Sequence, residues 1–148
     1  MNLSRSLWAP AAAVMLCVTA WGQQQAPPFA VGDVFLAIGT SRVARYSPEG
    51  TLIQVMTSDI TSLETTGMAF DRAGNLYATH FQGNRIARFD NRGTYLGPFG
   101  ILFDRSPESI AMDIDGNFYV GQADGNQDVV KLNAAGVDQV LIELGYGD

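Results

Sequence analysis

From Gly67 onward the chain spells out one pattern twice. Gly67-Met68-Ala69-Phe70-Asp71-Arg72-Ala73-Gly74-Asn75-Leu76-Tyr77 is followed by Gly83-Asn84, then Ile86-Ala87-Arg88-Phe89-Asp90 and Gly93. About 42 residues later come Ser109-Ile110-Ala111-Met112-Asp113-Ile114-Asp115-Gly116-Asn117-Phe118-Tyr119, Gly125-Asn126, Val129-Val130-Lys131-Leu132-Asn133 and Gly136. A period of this length limits the fold sharply. Each unit is one supersecondary block too small to bury its own apolar surface, so successive units must stack on one another.

Inside a unit the apolar runs are short, rich in Val, Ile, Phe and Tyr, and separated by Gly, Asn and Asp, which is the signature of antiparallel strands joined by tight turns. The second unit reads as strands over 66–70, 76–80, 85–90 and 94–99, and the third as 109–113, 118–122, 128–133 and 137–144. Gly74-Asn75 and Gly116-Asn117 supply the positive φ of hairpin turns, as do Gly83-Asn84 and Gly125-Asn126. The first unit matches only the last three strands, at 32–36, 43–47 and 51–57. The expected fold is therefore all-β: a β-propeller segment of about three four-stranded antiparallel blades, over 32–58, 64–100 and 107–144, the first lacking its inner strand. Propellers close with about four to eight blades. The favoured expectation is a segment of a longer propeller. Two copies forming a six-bladed ring, as a homodimer, and an open arc with unusual capping are the alternatives.

Residues 1–22 read as an export signal. Arg5 precedes an apolar stretch from Leu7 to Val18, and Ala20-Trp21-Gly22 offers a cleavage site before Gln23. Gln23 to Val31 is expected to be a flexible or extended leader, and no integral membrane span is expected after signal removal. The location implied is secreted or periplasmic. Cys17, the single cysteine, lies in the signal, so the mature chain has no thiol for a disulfide or a nucleophile. With 15 acidic residues against 9 basic ones, only one of them lysine, the chain is a poor match for nucleic acid.

The hairpins at 67–79 and 109–120 resemble the NHL repeat and, more broadly, the gluconolactonase-like six-bladed propellers, through the shared pattern Asp-x-x-Gly-Asn-apolar-Tyr. The resemblance covers most of 32–144. It implies a propeller fold and a bacterial-type secreted protein, and it carries no activity, because these residues build a hairpin. Gluconolactonase-like hydrolases hold calcium in the central channel with Glu, Asn and Asp from several blades. Glu64 and Glu108 precede the inner strands and are the acids to consider for such a role, with solvated loop acids as the commoner alternative. The related virginiamycin-type lyases use histidine with a divalent metal, a pattern that a single histidine cannot carry.

Other candidates are weaker. Asp113, Asp115, Asp124 and Asp128, with Asn117, invite a calcium reading, but the glycine and glutamate spacing of an EF-hand is absent. The two pairs also fall at opposite ends of strand b, about 15 Å apart. His80, the only histidine, ends a strand as either a general base or a solvent-facing polar residue. Arg45, Arg88 and Lys131 recur at one position of strand c, as a cationic stripe for an acidic partner or as a solvated strand position. Phe81, Tyr95, Phe99 and Phe103 suggest an aromatic patch or packing between blades. No cofactor is expected, calcium being the one the resemblance would imply. The reading is a binding or scaffolding module for protein, peptide or glycan partners, the alternative being a partial lactonase, lyase or esterase-type enzyme with a divalent metal.

Overall fold

A computed structural model describes residues 25–124 and 128–142. The expected signal at 1–22, Cys17, the Gly125-Asn126 turn and the end of the last expected strand lie outside the described residues. Eleven strands follow one another: β1 Val34–Ala37, β2 Arg42–Tyr46, β3 Leu52–Thr57, β4 Thr65–Phe70, β5 Leu76–His80, β6 Arg85–Phe89, β7 Tyr95–Phe99, β8 Pro107–Met112, β9 Phe118–Gln122, β10 Val129–Leu132 and β11 Asp138–Ile142. They form three antiparallel sheets in sequence order, β1-β2-β3, β4-β5-β6-β7 and β8-β9-β10-β11. Among the described residues the first sheet has three strands, without an inner one. Among the described residues no helix is long and apolar enough to cross a membrane.

Local chemistry explains the hairpins. Asp71 Oδ1 accepts the N–H groups of Ala73 and Asn75, and Asp113 Oδ1 those of Asp115 and Asn117. At the other turn on the same end of each sheet, Asp90 and Asn133 do likewise. A short acceptor side chain here replaces the backbone partners that a tight turn removes. Each second oxygen of Asp71 and Asp113 then accepts the hydroxyl of Tyr77 or Tyr119, six residues on. The turn is thereby tied to the strand that carries the packing.

Alternation within strands gives each sheet two faces. Leu76, Ala78, Ala87 and Phe89 point toward the first sheet and bury against Val43 and Met56. Tyr77, Ile86 and Phe99 point the other way and bury against Phe118, Val120, Val130 and Leu132 of the third sheet. The rings of Tyr77, Phe99 and Phe118 meet pairwise with centroids 4.5–4.9 Å apart, in the range where aromatic pairs add to simple burial. The core is thus two slabs between three sheets, as the stacked repeat requires.

The expectation of a flexible leader needs correction for residues 25–31. Phe29 sets its ring edge-on to Phe35 and Phe70, and its N–H donates to Asn91 O at 2.7 Å. Arg92 reaches Ala26 O, and Gln25 reaches Thr94. The segment straps the first two sheets together at the end that carries the hairpin turns.

Candidate functional site

Equivalent positions in the repeat can be matched by strand register. His80 faces Thr65 across β4–β5, and Gln122 faces Pro107 across β8–β9. Met56 and Phe99 pair with Val43 and Ile86, so Ser58 and Ile101 stand at matching places two residues beyond. All of these residues lie at the end of the sheets opposite the Asp71 and Asp113 turns. There the long connections from one sheet to the next, 58–64 and 100–106, also run.

Between the first and second sheets this position is sealed. His80 is 1% exposed, with Nε2 3.1 Å from Ser58 Oγ and Nδ1 3.3 Å from Thr65 Oγ1. Burial pushes its pKa down to about 4, because the charged imidazolium loses its hydration there. Around it Ser41, Ser62 and Gln82 tie the 58–64 connection together: Ser62 N–H donates to Ser41 Oγ, and Gln82 Oε1 accepts from Leu63 and Glu64 N–H. The histidine is therefore neither a solvent-facing strand end nor an exposed base. It is a neutral cross-brace between two hydroxyls.

Between the second and third sheets the same position is open. Both hydroxyl partners are gone, replaced by Ile101 and Pro107, and Gln122 Oε1 is buried without a hydrogen-bond partner among the described residues. A cavity of about 230 Å³ lies there, lined by Ile101, Leu102, Phe103, Val130, Gln122, Asp104 and Asp138. The walls are mixed: four apolar side chains, two carboxylates and the Gln122 amide, whose carbonyl oxygen accepts and whose NH2 donates. A second cavity, about 200 Å³, opens at the hairpin-turn end between Asp71, Arg72, Asp115, Met112 and Ala134.

The strand-c cations are engaged unequally, and Arg88 Nε is buried without a hydrogen-bond partner among the described residues. Arg45 is buried: its guanidinium contacts Asp33 Oδ2 at 2.6 Å and donates to Pro27 O and Pro28 O at 2.7 and 2.8 Å. It also lies 5.0 Å from the Phe29 ring centroid. Arg88 lies over Phe99 and Lys131 over Tyr119. All three point to one side of their sheets, each against an aromatic ring. For Arg45 this overturns both the cationic-stripe and the solvated readings, because the leader and Asp33 cover it.

Glu64 and Glu108 are exposed near the long-connection end. Asp113 is occupied by its own turn, the Asn117 side-chain amide foremost in holding its pKa down to about 2. Among the described residues no three His, Cys, Asp or Glu side chains converge as a metal site would require. Phe99 and Phe103 are buried in the slab, and Phe81 and Tyr95 are half-buried. Sequence reasoning missed Gln122, Asp104, Asp138, Ser58 and Asp33. The signal for Gln122 was present in the repeat, where a histidine flanked by hydroxyl partners becomes a glutamine without them.

Several solved structures share this arrangement. A streptogramin B lyase matches 80% of this chain at 15% identity with a TM-score of 0.66. The fold is that of a β-propeller segment. Regucalcin of Agrobacterium tumefaciens, a calcium-binding protein, matches 76% of the chain at 15% identity with a TM-score of 0.60. A candidate gluconolactonase matches 71% at 25% identity with a TM-score of 0.56. These matches cover 39%, 42% and 35% of the three proteins, so the chain spans about two-fifths of their length. No protein-family model and no curated protein sequence matches the chain.

Proposed function

We propose that this propeller segment is a secreted or periplasmic NHL-like binding module for a protein, peptide or glycan partner, engaged at the end where the sheets are joined by long connections. One observation carries the reading. At that end the only histidine is sealed between two hydroxyls, while the neighbouring junction opens a cavity whose wall mixes apolar side chains with acceptors. Apolar walls with a few oriented polar groups are how ligand sites are built. The export signal expected from the sequence of residues 1–22 supports the location.

The second reading, a lactonase, lyase or esterase-type propeller enzyme with a divalent metal such as calcium in its channel, is favoured by the names of two of the matched structures. Peptide and glycan arrays probed with the purified chain, run beside a calcium titration and a lactone-hydrolysis assay, decide between them. Saturable binding without turnover is expected. Calcium-dependent turnover would reject the binding module.

A further inference from the structure

We propose that the cavity between the second and third sheets is a subsite for one lysine side chain of a partner polypeptide. This rests on the binding-module reading and names the chemistry of its ligand.

The argument begins with the repeat. At the first junction the polar side chain, His80, has both ring nitrogens engaged. At the second, Gln122 is more than nine-tenths buried, and its carbonyl oxygen has no partner among the described residues. Leaving a buried acceptor unpaired costs on the order of 1–3 kcal/mol, so the junction is built to receive a donor that Ile101 and Pro107 cannot supply. Asp104 and Asp138 also line the cavity and add two carboxylates. The Gln122 carbonyl oxygen and the two carboxylates accept and outnumber the one donor, the Gln122 amide NH2, so the matching ligand is chiefly a donor.

Size and lining narrow the choice. About 230 Å³ is below the roughly 300–1,000 Å³ of sites that enclose a whole small-molecule ligand. It has room for one side chain. Ile101, Leu102, Phe103 and Val130 offer an apolar channel for an aliphatic stem, and the acceptors await its tip. Lysine combines a four-carbon stem with three donors and a positive charge. The acidity of the chain, at −6 net charge, favours approach of such a basic partner.

The test compares Nα-acetyl-lysine amide with Nα-acetyl-norleucine amide, which keeps the stem and lacks the ammonium, by ¹⁵N NMR titration of the full chain. Saturable shifts at residues 101–104, 122 and 130 are expected with the lysine probe alone, with a dissociation constant on the order of 1 mM. Asp104→Asn, an exposed change, should weaken binding severalfold and reduce its salt dependence. The triple change Ile101→Ser, Pro107→Thr and Gln122→His rebuilds the sealed first junction and should abolish binding. Equal shifts with both probes, shifts elsewhere on the molecule, or no shift with either would overturn the lysine subsite. In all three cases the binding-module reading still stands or falls by the arrays, so the two failures are distinguishable.

Discussion

His80 is the residue whose chemistry couples most directly to solution conditions. Its folded pKa of about 4 lies below the unfolded value of about 6.5, so the unfolded chain binds more protons between those limits. Stability is highest above about pH 6.5 and falls as pH drops toward 4, by up to roughly 3 kcal/mol. Urea midpoints at pH 7 and pH 5 should show that decline in the parent chain, and His80→Gln, the residue found at the matching position in the third sheet, should remove it. A second loss follows at lower pH. Asp113, held near 2 against an unfolded value of about 3.9, contributes stability above about pH 4 that disappears as pH falls through 2. Glycine substitutions separate two further effects. Gly116 sits at φ 87°, and an added Cβ would meet Ala134 Cβ at an ordinary contact distance of 3.5 Å, so Gly116→Ala should cost about 1 kcal/mol through backbone strain rather than a clash. At Gly67 an added Cβ would stand 2.8 Å from Glu108 O and 2.9 Å from Ser109 Cα, and Gly67→Ala should force the inner strands β4 and β8 apart. The expected order of melting temperatures is parent, then Gly116→Ala, then Gly67→Ala.

Among the elements, the strap of residues 25–31 is held by Arg45 rather than by strand pairing. Arg45→Met would leave Asp33 buried beside an apolar side chain and release two proline carbonyls, at a cost of about 3–5 kcal/mol. Adding Asp33→Asn should recover part of that loss, and thermal melts of the single and double variants measure both. The hairpins were legible in advance because their causes are local: Asp71, Gly74 and Asn75 lie within five positions, and Tyr77 closes the same loop. The role of Arg45 was not legible, since its partners belong to the strap and to Asp33, outside the repeated pattern. Periodicity places it on one face of β2 and says nothing of what covers that face. His80 was misjudged for a similar reason. A strand end is ordinarily exposed, and only the 58–64 connection, which has no regular structure to predict, buries this one. The cavity at Gln122 required comparing two junctions, which becomes meaningful once register fixes that His80 and Gln122 are the same position.

Across the molecule, the outward faces of the first and third sheets are unlike among the described residues. Val34 and Leu36 on β1 and Ile38 just after it are 38–47% exposed, whereas the matching residues of the second and third sheets, Leu76, Ala78, His80, Phe118, Val120 and Gln122, are 0–8% exposed. The difference is the presence of a covering sheet. Val55 on β3, 43% exposed, extends the same apolar patch, of a kind soluble monomers rarely show. Replacing Leu36 with Lys and Val55 with Glu should leave the unfolding free energy within about 1 kcal/mol of the parent while reducing the mass seen by light scattering. An unchanged mass would mean that this surface is not where copies of the chain meet. The opposite surface, on the third sheet, carries Tyr119 and Lys131 in the places that Tyr77 and Arg88 occupy inside the stack. Copies meeting through both surfaces would bring the aliphatic side of one arc against the tyrosine side of another. Such contacts would have a direction. Each added arc would repeat the same rotation, so growth would either return to its starting point and stop or wind onward as a filament.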